Sequence, residues 1–150
     1  MSVNLEINAA IQIRKSPDEV FEAIVDPAKM SNYFISAGSA RMETGKIINW
    51  KFPEFDTEFP IRVGEVLENH YISYFWEVDK LELLVEIKLI PAGKSETLVR
   101  ISEKSRSNDA AGIKWLGQNT EGWANFLACL KCYLEYGINL RKGAFDYMKA

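Results

Sequence analysis

The chain has 150 residues, of which 47% are hydrophobic and 26% charged, and its formal net charge is −3. This length and balance are typical of a globular protein, so we expect one domain over residues 1–150. Lysine and arginine are scattered, which argues against nucleic acid and anionic membranes as partners. The N-terminal MSVNLEINAA has no signal-peptide pattern, and no apolar run is long enough to span a membrane. We therefore expect a cytoplasmic protein.

The first third of the chain predicts a strand followed by two short helices. Apolar residues alternate with polar ones over 5–13, which indicates a half-buried strand. In SPDEVFEAIVDP, Ser16 is a suitable N-cap and Glu19 completes a capping box. The dipeptide Asp26-Pro27 ends this helix, because a residue before proline avoids the helical region. A second short helix is expected over 28–34.

From residue 37 to 105 the pattern is that of consecutive strands. Apolar residues alternate with polar ones in five segments, at 47–52, 61–67, 72–77, 83–89 and 97–104. Turn residues separate them, and Pro53 and Pro60 mark a longer loop. Sequential strands with short connections predict an antiparallel meander. With the first strand, the sheet has six to seven strands.

A long helix is predicted near the C-terminus, with Gly137 at or near its end. At roughly 100° per residue, Trp123, Leu127 and Leu130 lie on one face, and the stripe extends from 116 to 134. Glu121, Lys131 and Glu135 point elsewhere, and we expect the last two to be exposed. Asp109 or Thr120 could cap the N-terminus. This helix is the large element available to cover the concave face of the sheet, which makes the fold class α+β.

These elements, in this order, resemble the START-like (SRPBCC) superfamily, and within it the homologues of the activator of the heat-shock-protein-90 ATPase. The resemblance runs from about residue 5 to 137 through SPDEVFEAIVDPAKMSNYF, TGKIINWKF, IRVGEVLENHYISYFWEV, VEIKLIPAGKSETLVRISE and EGWANFLACLKCYLEYG. Related chains often have Trp-Phe where this one has Tyr33-Phe34. The resemblance implies a helix-grip fold with a hydrophobic cavity between sheet and helix. It also implies that most members bind apolar small molecules, while some are cyclases, hydratases or co-chaperones.

Two polar residues fall on the predicted inner face. Glu103 continues the inward series Val99 and Ile101, and Asn119 lies one turn before Trp123 on the sheet-facing side of the helix. Either could hydrogen-bond a ligand. Alternatively, Glu103 is a rim residue paired with a cation, and Asn119 precedes a helix that begins later.

The remaining candidates for chemistry are the C-x-x-C pair and the single histidine. Cys129 and Cys132 lie inside the predicted helix and off its apolar face, whereas a redox-active pair needs a cysteine at a helix N-terminus. A zinc site would need two further ligands. We therefore expect free thiols, no metal and no cofactor. His70 lies in a predicted turn, where a solvated side chain is the expected state.

The predicted function is non-enzymatic binding of a small apolar ligand, aromatic or lipid-like. A protein-interaction module of the co-chaperone type is the alternative, and a cyclase or hydratase that uses the cavity is the third possibility. The inward aromatic residues could equally form a solid core. The predicted ligand-binding residues are Trp50, Phe52, Tyr74, Trp76, Val85, Ile87, Glu103, Asn119, Trp123, Phe126 and Leu127.

Overall fold

Seven strands form one antiparallel sheet in the computed structural model, which describes residues 4–149. The strands are β1 (Asn4–Ile13), β2 (Ala37–Gly38), β3 (Ile47–Lys51), β4 (Glu58–Leu67), β5 (Tyr71–Val78), β6 (Leu81–Pro91) and β7 (Thr97–Ser107). Their order is β1-β7-β6-β5-β4-β3-β2, so the sheet is open, with β1 and β2 at its edges. The predicted antiparallel sheet and the α+β class are confirmed.

The inner face of the sheet follows the predicted alternation. Val85 pairs with Tyr74 on one side and with Glu103 on the other, so three inward side chains stand in one row. In the next row Ile87 pairs with Ile72 and Ile101. All of these side chains are buried. Rows of large inward side chains on neighbouring strands form the core surface that the helices cover.

The two short helices, α1 (Pro17–Val25) and α2 (Pro27–Met30), follow β1. The predicted boundary between them is confirmed, since Asp26 caps both, and its side chain accepts a hydrogen bond from the Ala28 amide at 2.9 Å. The predicted capping box is wrong. Ser16 occupies the N-cap position, but its side chain caps no backbone amide and instead approaches Glu19 at 3.5 Å.

The long helix α3 spans Ala110–Tyr136, and its N-cap is Asp109, the first of the two predicted caps. The Asp109 carboxylate accepts a hydrogen bond from the Gly112 amide at 2.8 Å. A Cβ at Gly112 would lie 2.0 Å from the Ser107 carbonyl oxygen, so this tight start requires glycine. At the other end Gly137 has φ 66°, the left-handed conformation that commonly ends helices.

The predicted buried stripe of α3 is confirmed for Trp123, Leu127 and Leu130. The prediction that Lys131 and Glu135 are exposed is wrong. Both residues are half-buried, and the side chain of Glu135 is only 6% exposed. These two side chains contact each other and the end of β1, because the helix packs along that strand.

Several boundaries also differ from the sequence-based expectation. Strand β4 begins at Glu58 and includes Pro60, which was expected in a loop. Residues 31–34 form a turn after α2 instead of extending it. Beyond α3 the chain continues through turns into a short 3-10 helix at Asp146–Met148. Among residues 4–149, no helix is both long and apolar enough to cross a membrane.

Candidate functional site

A buried carboxyl group connects the sheet to the long helix. Glu103 on β7 is 0% exposed and accepts hydrogen bonds from three N–H groups. The Trp76 indole nitrogen on β5 donates at 2.7 Å, and the Trp123 indole nitrogen and the Asn119 amide nitrogen on α3 each donate at 3.0 Å. Donors from neutral groups satisfy a buried carboxyl group without a counter-ion. These hydrogen bonds therefore fix the position of α3 relative to the sheet. We call the four residues the carboxyl cluster: Trp76, Glu103, Asn119 and Trp123.

A buried tyrosine lies next to this cluster. Tyr74 on β5 is 1% exposed, and its hydroxyl oxygen has no hydrogen-bond partner among the described residues. Burial raises the pKa of Tyr74 well above its usual value, and the nearby charge of Glu103 raises it further. Its ring packs edge-on against Trp50 and Trp76, with centroids 5.2 and 5.5 Å away. Tyr74 therefore acts as a core aromatic residue that stays protonated.

A cavity of about 450 Å³ lies beside the carboxyl cluster. It is bounded by α3, by the turn after α2, by the β3–β4 loop and by the chain beyond α3. Phenylalanine and tryptophan side chains form much of its wall. Before the end of α3 these residues are Phe34, Phe52, Phe55, Phe59, Trp76 and Phe126. The ring of Phe34 is central, because it packs edge-on against Phe52 at 5.1 Å and Phe126 at 4.7 Å. Edge-to-face contacts hold the rings in place and leave an apolar space between them.

The C-terminal segment 138–149 covers one side of the cavity. Phe145 and Met148 line the cavity, and Arg141 joins the segment to the β3–β4 loop. The Arg141 guanidinium donates two hydrogen bonds to the Glu54 carboxylate, at 2.9 and 2.7 Å. These side chains are 12% and 4% exposed, so the ion pair is shielded from water. A bidentate pair of this kind fixes the segment in one position.

The eleven predicted ligand-binding residues fall into two groups. Phe52, Trp76, Asn119 and Phe126 line the cavity. The other seven lie in the packed interior behind it: Trp50, Tyr74, Val85, Ile87, Glu103, Trp123 and Leu127. Glu103 was expected to meet a ligand or a cation, but its oxygens face protein N–H groups. The amide nitrogen of Asn119 is likewise bound within the protein.

Sequence reasoning missed most of the cavity wall. Tyr33 and Phe55 come from turns and loops, Phe59 comes from the start of β4, and Arg141 and Phe145 come from the C-terminal segment. None belongs to a periodic apolar pattern. The high aromatic content around residues 52–59 was the available signal, since three phenylalanines in eight residues outside a clear strand need a surface to pack against.

The two cysteines and the histidine lie in different environments. Cys129 was placed off the apolar face, which is wrong, because it is 5% exposed and lines the cavity. Cys132 is half-buried, and both are free thiols. His70 is exposed in its turn, with Nδ1 2.7 Å from the Glu68 carbonyl oxygen. Within residues 4–149, no group of His, Cys, Asp and Glu side chains is arranged to hold a metal ion.

The two thiols should differ in reactivity. Burial raises the pKa of the Cys129 thiol, and Cys129 is less accessible than Cys132. In the native protein we expect a thiol reagent to label Cys132 faster, because Cys129 is only 5% exposed and the raised pKa leaves less of its reactive thiolate. The unfolded, unreduced protein should titrate two thiols per chain. A Cys132→Ser variant isolates the slow phase, and failure to find thiols in the unfolded protein would contradict this prediction.

Comparisons with known proteins identify a matching family and solved structures with a similar fold. Residues 14–135 match the family described as Activator of Hsp90 ATPase homolog 1-like protein. Protein SSP2350 from Staphylococcus saprophyticus is 32% identical, with a TM-score of 0.79, over 91% of this chain and 96% of that one. No curated protein sequence matches significantly.

Two further solved structures share the fold at lower identity. DynU16, from the dynemicin biosynthetic locus, is 24% identical with a TM-score of 0.79, and the match covers 89% of this chain but 48% of DynU16. The Aha1 dimer from Colwellia psychrerythraea is 19% identical with a TM-score of 0.76, over 89% of this chain and 98% of that one. At these identities the likeness concerns the fold alone.

Proposed function

The chain belongs to the family of Activator of Hsp90 ATPase homolog 1-like proteins, and we propose that it binds a small apolar ligand, without catalysis, in the aromatic cavity beside α3. The observation that carries this proposal is the cavity itself. A volume of about 450 Å³ lies within the range of roughly 300–1,000 Å³ that is usual for small-molecule sites. Its aromatic walls suit a flat or elongated ligand held by stacking and apolar contact.

Three titratable groups on the cavity wall, those of Tyr33, Cys129 and Glu54, are either protonated or paired, which favours binding over catalysis. The Tyr33 hydroxyl donates a hydrogen bond to the Ala23 carbonyl oxygen at 2.7 Å, and burial raises its pKa well above the usual value. Burial also raises the pKa of the Cys129 thiol. Glu54 is paired with Arg141. Near neutral pH, Tyr33 and Cys129 are therefore protonated, and neither is activated as a nucleophile by a neighbouring base.

The affinity should be modest. Apolar contact supplies the binding energy, while loss of ligand freedom and ordering of side chains offset part of it. We expect dissociation constants in the micromolar range, about −8 kcal/mol. Trp76 lines the cavity, and the Trp123 ring lies 5.7 Å from it, so bound ligand should quench intrinsic fluorescence. A screen of apolar compounds by fluorescence and by NMR, with native mass spectrometry of freshly purified protein, tests the proposal.

The substitution Gly122→Leu should block the cavity without weakening the fold. Gly122 lies on α3 and lines the cavity, and a Cβ there would meet no other heavy atom within 4 Å. Leucine would add a side chain to empty space and replace a poor helix former, which stabilises the helix by up to about 1 kcal/mol. We expect ligand affinity to fall at least about tenfold, which corresponds to about 1.4 kcal/mol. Titration by fluorescence and thermal unfolding measure the two effects.

Gly117→Leu is the matched control. Gly117 is on the same helix, is exposed and has the same open space, but it does not line the cavity. It should raise stability to a similar extent and leave ligand affinity unchanged. Equal affinities in the two variants would place the ligand elsewhere. If no apolar compound binds the unmodified protein, the proposal fails and a protein-interaction role becomes the leading hypothesis.

A further inference from the structure

The charges around the cavity make it a poor site for an anion. In the part of the chain that the structure describes, three charged side chains line it: Glu54, Glu77 and Arg141. Two carboxylates against one guanidinium leave one net negative charge, and the exposed Glu77 lies at the rim. An acidic ligand would therefore meet no net positive charge in this largely apolar space, and it would pass the exposed carboxylate of Glu77 at the rim.

Three residues with N–H groups that could have received an anion, Arg141, Trp76 and Asn119, donate to protein carboxyl groups instead. The Arg141 guanidinium makes its bidentate contact with Glu54. The indole N–H of Trp76 and the amide N–H of Asn119 both donate to Glu103. Three of the cavity's lining residues thus direct their N–H groups at internal acceptors. An anion that entered the cavity would lose its hydration without gaining equivalent hydrogen bonds.

One polar lining residue remains suited to a neutral ligand. Asn125 on α3 is half-buried and carries both an amide donor and a carbonyl acceptor. Most of the lining residues are apolar, so a hydroxyl, carbonyl or amine group at the end of an aromatic body could pair with Asn125. An uncharged group of this kind loses less hydration on entry than a carboxylate or sulfonate does.

Building on the proposed function, we propose that the cavity selects uncharged aromatic or aliphatic ligands and rejects acidic ones, and that the Glu54–Arg141 pair sets this selectivity. Neutralisation of Arg141 by Glu54 is the central element. Arg141 is the one cationic side chain that lines the cavity among residues 4–149, and its pairing with Glu54 neutralises it while holding the C-terminal segment over the cavity. Fatty acids and aromatic carboxylates are therefore disfavoured ligands, and alcohols, phenols, ketones and arylamines of similar shape are favoured ones.

Two fluorescent probes that differ in one group test this inference. N-phenyl-1-naphthylamine is neutral, and 1-anilinonaphthalene-8-sulfonate is the same molecule with a sulfonate. We expect the neutral probe to bind the unmodified protein at least about tenfold more tightly. Gly122→Leu should weaken the binding of the neutral probe, which shows that it occupies the cavity.

Glu54→Gln should reduce the difference in affinity between the two probes, because the Arg141 guanidinium would then be free to bind the sulfonate. We expect the affinity for the sulfonate probe, divided by the affinity for the neutral probe, to rise at least about fivefold. Glu58→Gln, an exposed residue on β4 outside the cavity lining, makes the same change in net charge and should alter neither affinity.

The possible failures are distinguishable. Equal affinities of the two probes for the unmodified protein would overturn the selectivity while leaving the proposed function standing. A Glu54→Gln variant that remains folded but keeps the original ratio would overturn the role of the ion pair. Absence of binding by both probes would overturn the inference and count against the proposed function as well.

Discussion

Replacing Leu130 with alanine is expected to lower the free energy of unfolding by about 2–5 kcal/mol. Leu130 is 0% exposed and lies at the centre of the α3 face that covers the sheet. Its truncation removes buried apolar surface and leaves a cavity that the surrounding strands cannot fill without distortion. Urea unfolding followed by tryptophan fluorescence measures the loss of stability. An unchanged dependence of the unfolding free energy on urea concentration shows that both proteins expose the same surface on unfolding.

Ile113→Ala on the same helix is the control for this substitution. Ile113 is 58% exposed, so truncation removes little buried surface, and alanine is the better helix former. We expect a change below about 0.5 kcal/mol. If Leu130→Ala changed the free energy of unfolding as little as Ile113→Ala, the buried face of α3 would have been assigned incorrectly.

Glu103→Gln is expected to cost at least about 2 kcal/mol of stability, although it preserves the size of the side chain. One carboxyl oxygen becomes an NH₂ group that faces an N–H donor, so at least one donor of the carboxyl cluster loses its acceptor. The sequence made Glu103 a candidate to hydrogen-bond a ligand, but its three donors lie within the protein, so we expect the substitution to act on stability.

The indole resonances provide a specific measurement for this variant. Loss of a hydrogen bond should shift the Nε1–H signal of Trp76 or Trp123 in the NMR spectrum, beyond any general loss of stability. Glu86→Gln is the control, because Glu86 lies on the opposite face of the sheet and bonds Tyr71 and Lys104 near solvent. Its cost should stay below about 1 kcal/mol. Unshifted indole signals in Glu103→Gln would contradict the proposed anchoring role.

The features that could be predicted from sequence are those that a local period determines. Alternation placed Val99, Ile101 and Glu103 on the inner face, and the 100° repeat placed Leu127 and Leu130 against the sheet. The same repeat failed for Cys129, because α3 is buried on two sides. One face meets the sheet, and a second meets the turn after α2 and the cavity. A single-stripe analysis cannot detect a second contact made by segments without their own periodicity.

The cavity depends on contacts between distant residues that carry no local signal. Glu54 and Arg141 are 87 positions apart, and each lies in an irregular segment. Neither position would be distinguished from an ordinary surface charge by composition or spacing. The partners of Glu103 are 16 to 27 positions away, so the presence of a buried carboxyl could be inferred but not the groups that satisfy it.

The contacts at the end of β1 have a consequence for aggregation. An edge strand presents backbone groups to which another chain can add, and β1 is ten residues long. Near its end, Lys131 donates to the Gln12 carbonyl oxygen at 2.7 Å, and Glu135 accepts from the Arg14 amide at 3.0 Å. At the opposite edge, β2 has two residues and offers little to pair with. The last turns of α3 thus cover the C-terminal end of this edge, so we expect fraying of this helix to free backbone groups at residues 12 and 14 for pairing with a strand of another molecule.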